Sequence, residues 1–110
     1  IKEVIDKLIL ESEKPPIIII QSDHGIDVKA WGLTNDERYQ YARNANLSAY
    51  YLPDNKHELI YDTITPVNSF RLIFNAYFDS NYSFVDDTIY SSPENRPYDF
   101  IDVTDILTGQ

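Results

Sequence analysis

"IIIIQSDHGID", residues 17–27, runs from the most apolar stretch of the chain straight into a polar knot of Asp23, His24 and Gly25. Residues 17–21 are short, β-branched and uninterrupted, the pattern of a fully buried strand. Upstream, in residues 1–13, Ile1, Val4, Ile5, Leu8 and Ile9 recur at helical spacing and outline one apolar face. Pro15 and Pro16 stop that helix. A helix, a short break and a buried strand make half of a βαβ unit. The sequence therefore predicts an α/β fold, a small mixed sheet flanked by helices.

Ligands of open α/β sheets bind outside the carboxyl ends of the strands, which is where Asp23 and His24 fall. A stiff strand holds side chains just past its end accurately. Asp offers a hard oxygen and His a borderline nitrogen, a combination suited to Zn, Mn or a similar divalent ion. Gly25 allows a sharp turn directly after the pair. The same residues also admit a plainer reading, in which Asp23 caps a turn and His24 makes an ordinary hydrogen bond.

Further along, Gly25, Gly32 and the lone Trp31 mark a loop, and Thr34 or Asn35 caps a short helix through about Asn44, with Asp36 and Glu37 in its first turn. "NLSAYYLP", residues 46–53, reads as a second strand, and residues 54–58 as a polar turn. "ITPVNSFRLIFNAYFD", residues 64–79, is the best helix in the chain, with Thr65 as cap and Pro66 at the first helical position. Val67, Phe70, Ile73, Phe74, Tyr77 and Phe78 form its apolar stripe, and Tyr50, Tyr51, Phe70, Phe74 and Tyr77 read as core. Beyond Ser80, β-like pieces at 88–91 and 98–103 flank the loop "SPENRP".

At 110 residues with 43% apolar content, the chain has enough material for one folded domain. Eighteen acidic against nine basic residues leave a net charge of −9. That balance excludes the basic footprint of a nucleic-acid binder and disfavours an anionic membrane surface. The absence of cysteine excludes disulfides and thiolate chemistry. No apolar run approaches the roughly 18–20 residues that span a bilayer. A chain without methionine that opens at Ile1, inside a helical pattern, reads as the C-terminal part of a longer protein.

The stretch "PPIIIIQSDHGID", residues 15–27, resembles the strand and Asp-His-Gly motif of the alkaline phosphatase superfamily. That group includes sulfatases, phosphoglycerol transferases of the lipoteichoic acid synthase type and cofactor-independent phosphoglycerate mutases. "RNANLSAYYLPDN" (43–55) and "YDTITPVNSFRLIFNAYF" (61–78) resemble the later strand and closing helix of sulfatase-like proteins, in the same order. The resemblance covers roughly residues 1–80 and implies a single domain over 1–110, the C-terminal part of a sulfatase-like domain, with 81–110 an irregular extension.

The resemblance further implies hydrolysis or transfer of phosphate or sulfate esters, on small molecules, lipids or glycans, by a Ser, Thr or formylglycine nucleophile assisted by Zn, Mn, Ca or Mg. Carried over residue by residue, it makes Asp23 and His24 metal ligands. The nucleophile and remaining ligands of the family lie upstream, so the 110 residues alone are expected to be catalytically inactive and to bind metal weakly or not at all. A membrane-anchored parent with an extracytoplasmic domain fits the same relatives. Asp27, His57 and Arg38 are candidates to orient a ligand or touch substrate, Arg43 to meet an anionic ester group, and Arg71 to form a structural ion pair. Ser22 has no base partner and is not read as a nucleophile. The rival expectation is a non-catalytic interaction module with a degenerate metal site, self-associating through an uncovered sheet edge.

Overall fold

The computed structural model describes residues 1–28, 32 and 37–109. It is mixed helix and strand, with two small antiparallel sheets flanked by helices. The elements run α1 (Lys2–Glu11), β1 (Ile18–Gln21), α2 (Glu37–Asn44), β2 (Ser48–Tyr51), a 3-10 helix (Lys56–Leu59), α3 (Pro66–Tyr77), β3 (Tyr90–Ser91), β4 (Ile101–Asp102) and α4 (Thr104–Thr108). No described helix is long and apolar enough to cross a membrane. Trp31, the cap positions Thr34 and Asn35, and Asp36 lie outside the described residues.

β1 and β2 pair antiparallel, with Ile19 opposite Tyr50 and Gln21 opposite Ser48. The sheet is therefore not mixed, and β1 is half-buried where a fully buried strand was expected. The cause is its single neighbour: a two-stranded ribbon gives each strand one partner and one covered face. On that face Ile19 and Tyr50, with Ile17, pack against the buried cluster of Leu52, Leu72 and Ile73. Ile60, Ile64 and Tyr77 complete it. β3 and β4 pair through Tyr90–Asp102 and Ser91–Ile101, joining the two β-like pieces read in the sequence.

α3 departs from its expected orientation. Its buried residues are Asn68, Ser69, Leu72 and Ile73. Val67, Phe70, Phe74 and Phe78 are exposed on the opposite side, where Phe74 meets Tyr82 edgewise and Phe78 at a tilt. Tyr51 is exposed as well, whereas Ile73, Tyr50 and Tyr77 lie in or against the core as read. Helical spacing identified an apolar stripe, but the polar side chains Asn68 and Ser69 have bonding partners on the inner side and carry that face inward. Asn68 Nδ2 donates to the Val85 carbonyl (2.7 Å) and Asp87 Oδ1 (2.9 Å), and its Oδ1 accepts the Val85 N–H (3.1 Å). Ser69 Oγ donates to the Thr65 carbonyl (3.0 Å), so Tyr50 Oη is the donor in its 2.7 Å contact with Ser69.

The segment after residue 80 is tied to α3 throughout. Asn75 exchanges bonds with the backbone of Tyr82, and Arg71 Nη1 donates to the Ser83 carbonyl (2.9 Å) in place of an ion pair. Val103 is almost fully buried, and its N–H donates to the Ile89 carbonyl (2.9 Å).

Candidate functional site

Asp23 and His24 stand just beyond the carboxyl end of β1. The end of that strand is clamped by Asn46 and Leu47. Ser22 N–H donates to the Leu47 carbonyl (3.0 Å), and Ser22 Oγ accepts the Leu47 N–H (2.8 Å). Asn46 Nδ2 donates to the Ser22 carbonyl (3.1 Å). Ser22 is thus a structural latch between β1 and the entry to β2.

Gly25 completes the anchorage. Its N–H donates to the Arg43 carbonyl at 2.7 Å. A Cβ at this position would lie 2.0 Å from the Ala42 carbonyl oxygen and 2.9 Å from that of Ala45. The glycine is required by close approach to the end of α2, not by a left-handed turn, since its φ is not positive.

The pair itself is exposed, the Asp23 side chain at 88% and His24 at 44%. His24 Nδ1 lies 2.6 Å from the Gly25 carbonyl, which accepts from an Nδ1–H and leaves Nε2 as the open nitrogen. Nε2 is 3.7 Å from Asp23 Oδ2. That is too long for a hydrogen bond. Two donors at about 2.1 Å from one ion in near-tetrahedral geometry would stand roughly 3.4 Å apart. The pair therefore fits as two donors to one divalent ion. Among the described residues no group of three or more His, Cys, Asp or Glu side chains comes together. The fit is that of a half-site.

An open cleft of about 480 Å³ borders the pair, lined also by Tyr41, Arg43, Asp62, Thr65 and Leu107. It lies between the end of β1, the last turn of α2, the entry to α3 and α4. His57 is in the 3-10 helix and Arg38 borders a separate hollow with Glu37 and Asp105, so neither lines this cleft. Asp27 is exposed and engaged in an interaction, and it does not line the cleft. Arg43, weighed in the sequence only for its charge, does line it.

Sequence reasoning missed Asp87. Its Oδ1 accepts the Thr65 N–H at 2.7 Å, and its Oδ2 accepts the Tyr61 hydroxyl at 2.5 Å. The Thr65 side chain makes no capping bond of its own to α3, so the cap comes from Asp87 instead. Burial pushes the Asp87 carboxyl up, but the bonds from Thr65, Tyr61 and Asn68 together hold it below the usual carboxylate range. Burial first, and the neighbouring Asp87 carboxylate second, raise the Tyr61 hydroxyl above its ordinary value. No sequence signal marked Asp87, because its partners are 19 to 26 residues away.

No family model, curated protein or solved structure matches this chain.

Proposed function

We propose that this chain is the C-terminal part of a metal-dependent hydrolase or transferase of the sulfatase and alkaline phosphatase type, acting on phosphate or sulfate esters. The observation that carries the reading is the convergence of Asp23 Oδ2 and His24 Nε2 at the braced end of β1, facing an open cleft. Asp23 and His24 would hold a divalent ion (Zn, Mn, Ca or Mg). Such an ion supplies charge stabilisation to ester oxygens. The β1 clamp and the Gly25 contact keep the two donors oriented. In this reading the nucleophile and the further metal ligands come from elsewhere in the protein, and the 110 residues alone are expected to be inactive.

The molecule's uncovered surface supports the reading. Its accessible area is 8405 Å², against about 6,300 Å² for a compact protein of 12.8 kDa. Its radius of gyration is 16.8 Å, against about 13 Å for a compact domain of this length. α1 buries no residue: Val4 and Leu8 on it are exposed, as is Ile1 at its N-cap. Further polypeptide of the same domain, packed on α1 and on the exposed stripe of α3, accounts for these faces. The exposed Val67, Phe70, Phe74 and Phe78 also favour a second reading, a non-catalytic module that docks a protein partner or a second copy of itself.

The test uses the longest polypeptide that contains this chain, assayed on an aryl phosphate and an aryl sulfate with Mn²⁺ or Zn²⁺. Asp23→Ala and His24→Ala are each expected to lower kcat/KM by about 100-fold or more. Activity equal to the unaltered protein in both variants would remove the pair from the reaction and leave the docking module as the better reading.

A further inference from the structure

We infer that Arg43 is the oxyanion-binding residue of the cleft, placed to take a tetrahedral phosphate or sulfate group presented beside Asp23 and His24. The inference deepens the ester-hydrolase reading and rests on it for the nature of the ligand.

Position comes first. The Arg43 carbonyl accepts the Gly25 N–H, and the neighbouring Ala42 carbonyl leaves no room for any side chain at residue 25. The last turn of α2 and the Asp-His-Gly turn are therefore one rigid unit. Arg43 rides on it, half-buried, and lines the same cleft as the pair.

Charge comes second. The chain carries twice as many acidic as basic residues, yet Arg43 forms no ion pair with any described residue. The pairs Lys2–Asp6, Lys7–Glu11 and Arg96–Asp99 are local and exposed by contrast. Among the described residues lining the cleft, Arg43 is the one permanent cation, and Asp23 and Asp62 are the acids. With His24 neutral, these three side chains sum to −1, and a divalent ion on the pair would turn that to +1. A divalent ion held by the pair would raise the affinity for the anion, and the anion would raise that for the ion by the same factor. A planar guanidinium suits two oxygens of a tetrahedral anion at once. A cation in the last turn of α2 also complements the helix dipole, and the experiment separates that role from anion binding.

The experiment follows the arginine Nε–Hε and backbone amide NMR signals of the 110-residue chain during titration with inorganic phosphate and, separately, inorganic sulfate, each with and without Mg²⁺. The Arg43 signal is expected to shift with either anion, with or without Mg²⁺, because the half-site in these 110 residues holds metal weakly or not at all, and the tighter-binding anion names the ester class. Arg43→Gln lowers anion affinity by about tenfold or more. Arg43→Lys keeps part of it, and Arg38→Gln changes nothing. If Arg43→Gln unfolds the chain, the comparison of Arg43→Lys with the unaltered chain decides. The inference is overturned if a folded Arg43→Gln binds phosphate like the unaltered chain, if Arg43→Lys binds no differently from it, or if shifts appear on α1 while Arg43 stays still. In the longest polypeptide that contains this chain, anion binding that needs Arg43 but ignores both Mg²⁺ and Asp23→Ala would uphold the oxyanion site and sink the metal-dependent reading. Mg²⁺-induced shifts at Asp23 and His24 with phosphate binding indifferent to Arg43→Gln would do the reverse.

Discussion

The Asp87 carboxylate accepts the backbone N–H of Thr65 at 2.7 Å, so the N-terminus of α3 is capped by a residue 22 positions downstream. The same carboxylate accepts from Tyr61 and from the fully buried Asn68. One side chain thus ties the best helix of the chain to the segment that follows it.

Removing that tie should cost stability and loosen the Thr65 wall of the cleft. Asp87→Ala leaves the Thr65 N–H and one Asn68 donor without their acceptor. The expected loss is about 1–2 kcal/mol in urea unfolding. A loss confined to a few tenths would show that water replaces the carboxylate.

Acid should reveal the same interaction. A carboxyl held below its unfolded value stabilises the fold above that value, and the stability disappears as pH falls through the folded pKa. The unaltered chain is therefore expected to lose more stability than Asp87→Asn between about pH 5 and pH 2. At the alkaline end the sign reverses. Tyr61 and Tyr77 are raised, mainly by burial, so their contribution is complete below about pH 10 and fades as pH climbs through their folded values. Parallel acid profiles for the two proteins would remove Asp87 from the account.

Gly25 should tolerate no side chain. Gly25→Ala drives a methyl into the Ala42 carbonyl oxygen, which belongs to the backbone and cannot swing aside. The expected cost is roughly 1–3 kcal/mol. Amide shifts should spread through both the Asp23–His24 turn and the last turn of α2, because the two are bonded. Unchanged α2 amides would contradict the rigid unit on which Arg43 is carried.

The two faces of α3 should respond unequally. Leu72→Ala empties a site in the buried cluster and is expected to cost about 2–4 kcal/mol. Phe74→Ala, on the exposed stripe, should cost less than about 1 kcal/mol in the 110-residue chain. If further polypeptide covers that stripe, Phe74→Ala becomes the costlier of the two only in the longer protein, which thermal unfolding of both lengths would show.

Local chemistry made several elements legible in advance. Proline and apolar spacing place α1, β1 and α3 close to their observed limits, because steric exclusion by proline and side-chain periodicity act within a few residues. The polar run after Pro53 reads correctly as a turn, where Asp54 and Asn55 adopt positive φ. The Asp23–His24 pair is visible for the same reason: two ligand types directly follow a β-branched run. α4 went unread, being five residues long and started by Asp102, whose carboxylate accepts from the backbone and hydroxyl of Thr104.

What the sequence determined by itself was where the chain bends and which short segments are helix or strand. Only the tertiary structure decided that β1 and β2 run antiparallel, that α3 turns Asn68 and Ser69 inward and its phenylalanines outward, and that Arg43 rather than Arg38 or His57 shares the cleft with the Asp-His pair. The physical reason is range. Backbone preference and periodicity are set by neighbours a few residues apart, whereas a buried amide faces whichever distant backbone can satisfy it, and charge in a cleft depends on which loops the fold brings together.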